Sequence, residues 1–178
     1  LRRSQRTIDT RKASTLAEEK SRLIAVHSLR GGTGCSSLAV NLSLAMRELW
    51  QKPTLLLDLA TTAGQVALML NTPLKRTWAD LARFSAGNID IEAINSAINQ
   101  YENGLSFIPS PTLPSEATPL EKETLKTALK MLAKKYSYIF ADLPHDFHPM
   151  TLSTLDEADL ILLVVAPEMA SIRAAAAA

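Results

Sequence analysis

The sequence is poor in cysteine, glycine and histidine, and it has no long apolar segment. Its 178 residues contain one Cys, six Gly and three His. A single cysteine excludes a disulfide framework and a cysteine-rich zinc site. The longest apolar runs, such as residues 160–167, are much shorter than the ~18 residues that a membrane-spanning helix requires. We therefore expect one soluble, cytoplasmic domain with a single core.

Charge is distributed unevenly along the chain. The total is nearly balanced, with 19 Lys and Arg against 18 Asp and Glu, but residues 1–22 hold seven basic and three acidic residues. We interpret residues 1–21 as a basic leader or linker, because its basic residues are scattered and have no aromatic partners. The rest of the chain carries 12 basic and 15 acidic residues. That acidic balance argues against nucleic acid as a partner and leaves only peripheral contact with a membrane.

Apolar segments of strand length alternate with helical patterns. The predicted strands are residues 23–29, 54–59, 105–108, 138–143 and 160–166. They are nearly continuous in apolar character, which indicates strands covered on both faces, as in a parallel sheet. The predicted helices are residues 36–50, 77–84, 91–98 and 120–135. This alternation predicts a doubly wound α/β fold, with a mostly parallel sheet flanked by helices.

Two of the predicted helices carry an apolar stripe. In residues 36–50, one face holds Leu38, Leu42, Ala45 and Leu49. In residues 120–135, the stripe consists of Leu125, Leu129 and Leu132, opposite a lysine-rich face. Apolar residues at this spacing face the core in most helices, and we expect the same here.

A glycine-rich turn follows the first predicted strand. Residues 28–37 have the sequence Ser-Leu-Arg-Gly-Gly-Thr-Gly-Cys-Ser-Ser and lead into the first predicted helix. Glycines allow a turn that points backbone N–H groups at an anion, and the helix N-terminus adds partial positive charge. A hydroxyl at Ser36 or Ser37 could bind a magnesium ion carried by phosphates. The alternative is a purely structural turn with Ser36 as the helix N-cap.

This turn resembles the variant phosphate-binding loop of the ParA/MinD superfamily of P-loop ATPases, K-G-G-x-G-K-[ST]-[ST]. The glycines and the hydroxyl pair match, whereas Arg30 replaces the first lysine and Cys35 replaces the second. The resemblance implies ATP and Mg²⁺ as cofactors. The phosphate-binding residues that it implies are Arg30, Gly31, Gly32, Thr33, Gly34, Cys35, Ser36 and Ser37.

Further segments resemble the CpaE/TadZ branch of that superfamily, ParA-like proteins of Tad/Flp pilus assembly. The matching segments are residues 55–58, 64–70, 78–81, 104–111, 136–144 and 155–168, so the resemblance covers residues 22–173. It implies an ATPase domain that is incomplete at its C-terminal end, and it leaves residues 174–178 as an unassigned alanine tail. It also implies a homodimer, an upstream receiver-like domain, partners in pilus assembly or polar localisation, and a place at the cell pole.

Two carboxylates complete the predicted site. Asp142 ends the strand that resembles the magnesium-binding Walker B strand, so we expect Asp142 and Ser36 to hold the metal through the nucleotide. Asp58 ends the second strand at the place where active relatives position metal and attacking water, which makes it the candidate catalytic residue. The next acidic position of that segment is Ala60 here.

The replacement of the two loop lysines weakens the ATP hydrolysis that the resemblance implies. A thiol at Cys35 is neutral near pH 7 and cannot supply the lysine charge that stabilises the phosphates. Arg30 keeps a permanent charge, and the resemblance implies that it acts across a dimer, much like an arginine finger. We expect hydrolysis to be weak or absent. Cys35 itself is expected to be a packed, unreactive thiol, and the pair His145 and His148 to lie in a solvated loop.

The sequence therefore predicts a degenerate nucleotide-binding protein that positions or scaffolds Tad/Flp pilus assembly. Two alternatives remain open at this point. One is an active partition or cell-division ATPase that binds DNA or membrane. The other is a pseudo-ATPase scaffold that binds no nucleotide.

Overall fold

Six strands form one sheet in the computed structural model, which describes residues 20–61, 64–118 and 120–177. The strands are β1 (Arg22–His27), β2 (Thr54–Asp58), β3 (Asn99–Gln100), β4 (Ser106–Ile108), β5 (Tyr138–Asp142) and β6 (Leu160–Leu163). Their order across the sheet is β3-β4-β2-β5-β1-β6. The short β3 pairs antiparallel with β4, and the other pairs are parallel. The predicted mostly parallel sheet is confirmed.

Helices cover both faces of this sheet. They are α1 (Cys35–Trp50), α2 (Val66–Met69), α3 (Trp78–Leu81), α4 (Ile91–Ala97), α5 (Lys122–Leu132), α6 (Pro149–Glu157) and α7 (Met169–Ala177), with a 3-10 turn at Pro114–Glu116. One apolar cluster joins alternate residues of the central strands to α3, α4 and α5. A second cluster joins the intervening residues to α1 and α2. Burial on both faces explains why β1, β2, β4 and β5 are continuously apolar. For the edge strand β6 the prediction of cover on both faces is wrong, because Leu160, Ile161 and Leu163 are 45–51% exposed.

The central strands bring their carboxyl ends to one edge of the sheet. β5 lies between β1 and β2, so that Val26 and Asp58 are both register partners of Asp142. In open parallel sheets, ligands bind in the crevice beyond the carboxyl ends of the strands. The fold therefore places the glycine-rich turn and both predicted carboxylates at the same edge.

Several elements were not predicted, and their sequences show why. β3 has two polar residues and is paired only at the sheet edge. α2 is a single turn of four residues, too short for a 3.6-residue period to appear. α6 begins at Pro149 after a polar loop, and α7 includes residues 174–177, the described part of the alanine tail. Most predicted elements are shorter than expected; residues 77–84, for example, contain only the one-turn α3. In contrast, β1 and α1 each begin one residue before their predicted starts.

The predicted core face of α1 is wrong. The residues that face the sheet are Cys35, Ala39, Val40 and Ser43, whereas Leu38 is 37% exposed and Leu49 is 74% exposed. Most of the circumference of α1 is apolar, so the spacing of large residues could not identify the packed side. Small residues lie against the strands because they allow a close approach of helix and sheet. In α5 the predicted stripe Leu125, Leu129 and Leu132 is buried as expected.

Most of the predicted basic leader, residues 1–19, lies outside the described residues. Of its described part, Lys20 forms an ion pair with Asp159, 3.4 Å from its carboxylate. Within the described residues, no helix has the length and apolar character needed to cross a membrane.

Candidate functional site

The glycine-rich turn forms an open loop between β1 and α1. Gly32 and Gly34 have φ angles of 79° and 88°, in the left-handed region that glycine adopts without strain. A Cβ added at either residue would have no atom within 4 Å, so this side of the loop is open. The hydroxyls of Ser28 and Thr33 donate to the carbonyl of Arg30, at 3.0 and 3.3 Å, and hold the turn from within.

Helix α1 begins at this loop without a side-chain cap. Its N-cap residue is Gly34, which corrects the alternative that Ser36 caps the helix. The first backbone N–H groups of a helix have no partner inside the helix, and the helix dipole gives this end partial positive charge. The loop therefore has the geometry of an anion-binding site.

Cys35 is buried at the base of the loop. Its thiol donates to the carbonyl of Leu143, with an Sγ–O distance of 3.9 Å. Burial, with a smaller contribution from the nearby charge of Asp142, raises the pKa of the thiol to about 12. The side chain is therefore neutral at physiological pH, and it supplies neither the lysine charge nor a reactive thiolate.

Asp58 is fully buried at the end of β2. Its carboxylate accepts hydrogen bonds from the backbone N–H groups of Ala60 and Val66, at 3.2 and 3.1 Å. Burial, together with the charge of Asp142, raises its pKa to about 7. A Cβ at Gly64 would lie 2.8 Å from the Asp58 carboxylate and 2.7 Å from the carbonyl of Ser110. Only glycine therefore fits beside Asp58, a role that sequence reasoning did not assign to Gly64.

Asp142 is the least satisfied polar side chain of the site. It is 1% exposed, and neither carboxylate oxygen has a hydrogen-bond partner of good geometry among the described residues. Burial raises its pKa to about 6, and the nearby Ser36 hydroxyl and Cys35 thiol oppose that rise. Buried polar groups are rarely left without partners. A cation or a hydroxyl-bearing ligand at this position would satisfy the carboxylate.

Arg30, the basic residue of the loop, forms an ion pair with Glu168. Its guanidinium is 3.3 Å from the carboxylate of Glu168, which lies just before α7 and also accepts a hydrogen bond from the Ser171 hydroxyl at 3.1 Å. Both members of the ion pair are about half exposed, so solvent screens the attraction. Arg30 is therefore available to a stronger anionic partner.

His145 lies beside the loop, at Gly31, a placement that sequence reasoning did not predict. A Cβ added at Gly31 would lie 3.6 Å from Cε1 of the imidazole and 3.8 Å from each ring nitrogen. The neighbouring Phe147 ring packs against the buried His27, with 5.7 Å between ring centroids. His145 and His148 are both exposed, in agreement with the predicted solvated loop. Within the described part of the chain, no group of three or more metal-ligating side chains is present.

A wide groove of the surface lies elsewhere. Its volume is about 970 Å³, and it is lined by residues at the amino ends of β1 and β5, among them Leu23, Lys130 and Ile139. The loop and the two aspartates are at the opposite edge of the sheet. The chemical groups therefore identify the candidate site better than cavity size does.

A family model described as cellulose biosynthesis protein BcsQ matches residues 21–176, which include the whole sheet and the site. The chain belongs to the BcsQ family. Among curated proteins, a ParA family protein of Chlamydia muridarum is 28% identical over 158 residues, 84% of this chain and 60% of the relative. An uncharacterised ATP-binding protein of Methanocaldococcus jannaschii is also 28% identical, over 84% of this chain and 54% of the relative.

Solved structures place this BcsQ-family chain in the same fold. The ParA family ATPase of Chlorobium tepidum superposes with a TM-score of 0.78 at 22% identity, over 89% of this chain and 65% of that one. The septum site-determining protein MinD of Pyrococcus horikoshii, a complex with Mg-ADP, superposes with a TM-score of 0.71 at 26% identity, over 86% and 61%. The predicted ParA/MinD-like P-loop fold is confirmed. The chain spans about three fifths of the length of these relatives.

Proposed function

We propose that this BcsQ-family chain binds a magnesium nucleotide and acts as a positioning or scaffold protein with little or no ATP hydrolysis. The observation that carries the proposal is the open glycine loop beside the buried, unpartnered carboxylate of Asp142. An uncapped helix N-terminus and an unsatisfied carboxylate are complementary to a phosphate and its cation. If the loop were only a structural turn, the burial of the Asp142 carboxylate without a partner would have no explanation.

The residues present fit a magnesium nucleotide. The backbone N–H groups of residues 31–36 would surround the phosphates, and the Ser36 hydroxyl and Asp142 would hold the metal shell. Bound Mg²⁺ would neutralise charge on the phosphates. Asp58, the register partner of Asp142 on the adjacent strand, would orient a water molecule or the metal without binding the metal directly. MinD of Pyrococcus horikoshii, which was solved with Mg-ADP, supports this assignment.

Weak hydrolysis follows from two positions. Cys35 is neutral, so the loop lacks the lysine charge that matters most in the transition state. Ala60 provides only its backbone N–H to Asp58 and no second carboxylate. Nucleotide binding would therefore change the conformation and assembly of the protein, and little of the nucleotide would be hydrolysed.

We further propose a homodimer in which Arg30 reaches the phosphates of the partner subunit. This arrangement requires Arg30 to leave Glu168, which the exposed and screened ion pair permits. A two-fold dimer of this kind would use the same loop surface from both subunits. The structure of a MinC:MinD complex from Aquifex aeolicus, 24% identical to this chain, matches it in fold.

The family name suggests the cellular process in which this chain takes part. The match to the BcsQ family favours a scaffold for cellulose biosynthesis. The resemblance of residues 55–58, 64–70, 136–144 and 155–168 to CpaE/TadZ proteins supports a second candidate, a scaffold for Tad/Flp pilus assembly at the cell pole. Deleting the gene and measuring secreted cellulose and surface pili separates the two, since each candidate predicts the loss of one product only.

The biochemical part is tested by calorimetry with Mg-ATP together with a turnover assay. The proposal predicts measurable binding and very slow turnover. Binding with turnover of about 1 s⁻¹ or faster, within the ordinary range for enzymes, would instead indicate an active partition or cell-division ATPase. No binding at millimolar nucleotide would indicate the pseudo-ATPase scaffold.

A further inference from the structure

The phosphate loop lacks the cation that its relatives place at its base. Cys35 occupies the lysine position and is neutral. Arg30, the other basic residue of the loop, is paired with Glu168. With Arg30 held by Glu168 and assigned to the partner subunit's phosphates in the proposed dimer, phosphates that entered the loop would meet backbone N–H groups but no positive side chain at the position of Cys35. A compensating cation would have to come from another segment.

His145 is placed to provide it. The residue follows β5 by three positions, and its imidazole lies against Gly31, with both ring nitrogens 3.8 Å from the position of an added Cβ. The ring is exposed, so it can contact a ligand. Imidazole is the side chain that gains charge between about pH 8 and pH 5.

The loop that carries His145 is anchored on both sides. Before it, the backbone N–H of Leu143 donates to the carbonyl of Val26 at 3.0 Å. After it, Asp146 accepts hydrogen bonds from the Thr151 hydroxyl at 2.9 Å and from the backbone N–H of His148 at 3.1 Å. These contacts fix the backbone on both sides of His145, so less loop ordering remains to be paid for when a ligand binds.

We infer that protonated His145 donates to the nucleotide phosphates and replaces the missing lysine as the positive charge of this loop. The inference rests on the proposed nucleotide binding and deepens it. It explains how a loop with Cys35 at its base could retain affinity. It also predicts that affinity depends on pH through a residue outside the loop.

The charged groups around His145 are compatible with this role. Asp146 is adjacent in the chain, and Arg30 belongs to the loop itself. His27, from β1, is buried, and that burial lowers its pKa, which favours the neutral form beside His145. Asp58 and Asp142 also titrate near neutral pH. The contribution of His145 must therefore be measured as the ratio between wild type and a variant at each pH.

The test uses calorimetry with Mg²⁺ and a non-hydrolysable ATP analogue at about pH 6 and about pH 8, which bracket histidine titration. The variants are His145→Gln and His145→Lys, with His148→Gln as the matched control. His148 is 79% exposed and faces Asp146 rather than the loop. We expect His145→Gln to weaken binding about tenfold at pH 6 and less than about twofold at pH 8, the loss of one charged hydrogen bond. His145→Lys should bind at least as tightly as wild type at pH 6 and more tightly at pH 8, and His148→Gln should match wild type.

A second measurement uses Cys35→Lys as the background. With the lysine restored, His145→Gln should reduce the affinity for nucleotide less than about twofold, because coupled residues do not contribute additively. Wild-type binding that His145→Gln leaves unchanged at both pH values would overturn the inference and leave the proposed function intact. Absence of wild-type binding under all conditions would overturn both.

Discussion

At the residue scale, the character of the site depends on Cys35. The thiol is buried and neutral where a lysine would neutralise phosphate charge. The neighbouring Asp142 is buried without a hydrogen-bond partner of good geometry, and the positive charge of the loop, Arg30, is paired with Glu168 instead. A nucleotide with its metal would compensate the Asp142 carboxylate, which is why we propose that binding is retained and turnover lost.

Cys35→Lys should tighten binding of magnesium nucleotide by about ten- to a hundredfold, since one charge-assisted contact is worth ~1–3 kcal/mol. Turnover should stay below about 1 s⁻¹ because Ala60 remains. Calorimetry and a phosphate-release assay measure the two effects. The control is Cys35→Ser, which stays neutral and should bind like wild type. Equal affinities for the lysine and serine variants would contradict this account.

The two buried aspartates predict how stability depends on pH. Their pKa values of about 7 for Asp58 and about 6 for Asp142 lie above the ~4 of an unfolded chain. The folded chain therefore holds these protons more tightly, and stability is lost as the pH rises from about 4 to 7. Asp142→Asn should raise the free energy of unfolding by about 1–3 kcal/mol at pH 8 and change it little at pH 4.

Urea unfolding at both pH values measures this effect. The control is Asp156→Asn, since Asp156 is exposed on α6 and should show no such dependence. An asparagine at position 142 that destabilises the chain at pH 8 would mean that the Asp142 carboxylate has partners that the structure does not contain.

At the scale of elements, α1 and α5 differ in how their leucines are used. Leu125 in α5 is 1% exposed, whereas Leu49 in α1 is 74% exposed although its spacing predicted burial. Leu125→Ala should cost about 2–5 kcal/mol of stability through a cavity in the core. Leu49→Ala should cost no more than about 0.5 kcal/mol.

Thermal or urea unfolding of the two alanine variants compares the same chemical change at both sites. Equal costs would show that the exposed face of α1 is covered, in solution, by something outside the described residues. In that case Leu49 would be buried in solution, as its spacing in the sequence predicts.

The sequence predicts those parts of the structure that depend on neighbouring residues. The five longer strands, the turn at Gly31–Gly34 and the end of β5 at Asp142 follow from apolar runs and glycine spacing. The contact between His145 and Gly31 joins residues far apart in the chain, and no local pattern encodes it. The packed side of α1 was also not predictable, because its apolar residues surround the helix. Gly64 could have been noticed as a single glycine after a strand, but its closeness to Asp58 needed the fold.

At the scale of the whole molecule, assembly depends on where Arg30 binds. In one subunit it pairs with Glu168, and in the proposed dimer it contacts the phosphates of the partner subunit. Arg30→Ala should weaken the nucleotide-dependent dimer about tenfold or more, as expected for a lost charged contact. Sedimentation with and without magnesium nucleotide measures it, with the exposed Arg83→Ala as the control. A dimer that responds neither to nucleotide nor to Arg30→Ala would show that assembly uses another surface.

The measurement that tests the account most directly is calorimetry of the wild-type chain with Mg-ATP, with turnover followed in the same samples. We predict a binding heat with weak affinity, a rise in melting temperature as nucleotide is added, and almost no phosphate release. The absence of heat and of any melting shift at millimolar Mg-ATP would contradict the account, because the open loop and the unpartnered Asp142 would then have no phosphate to bind.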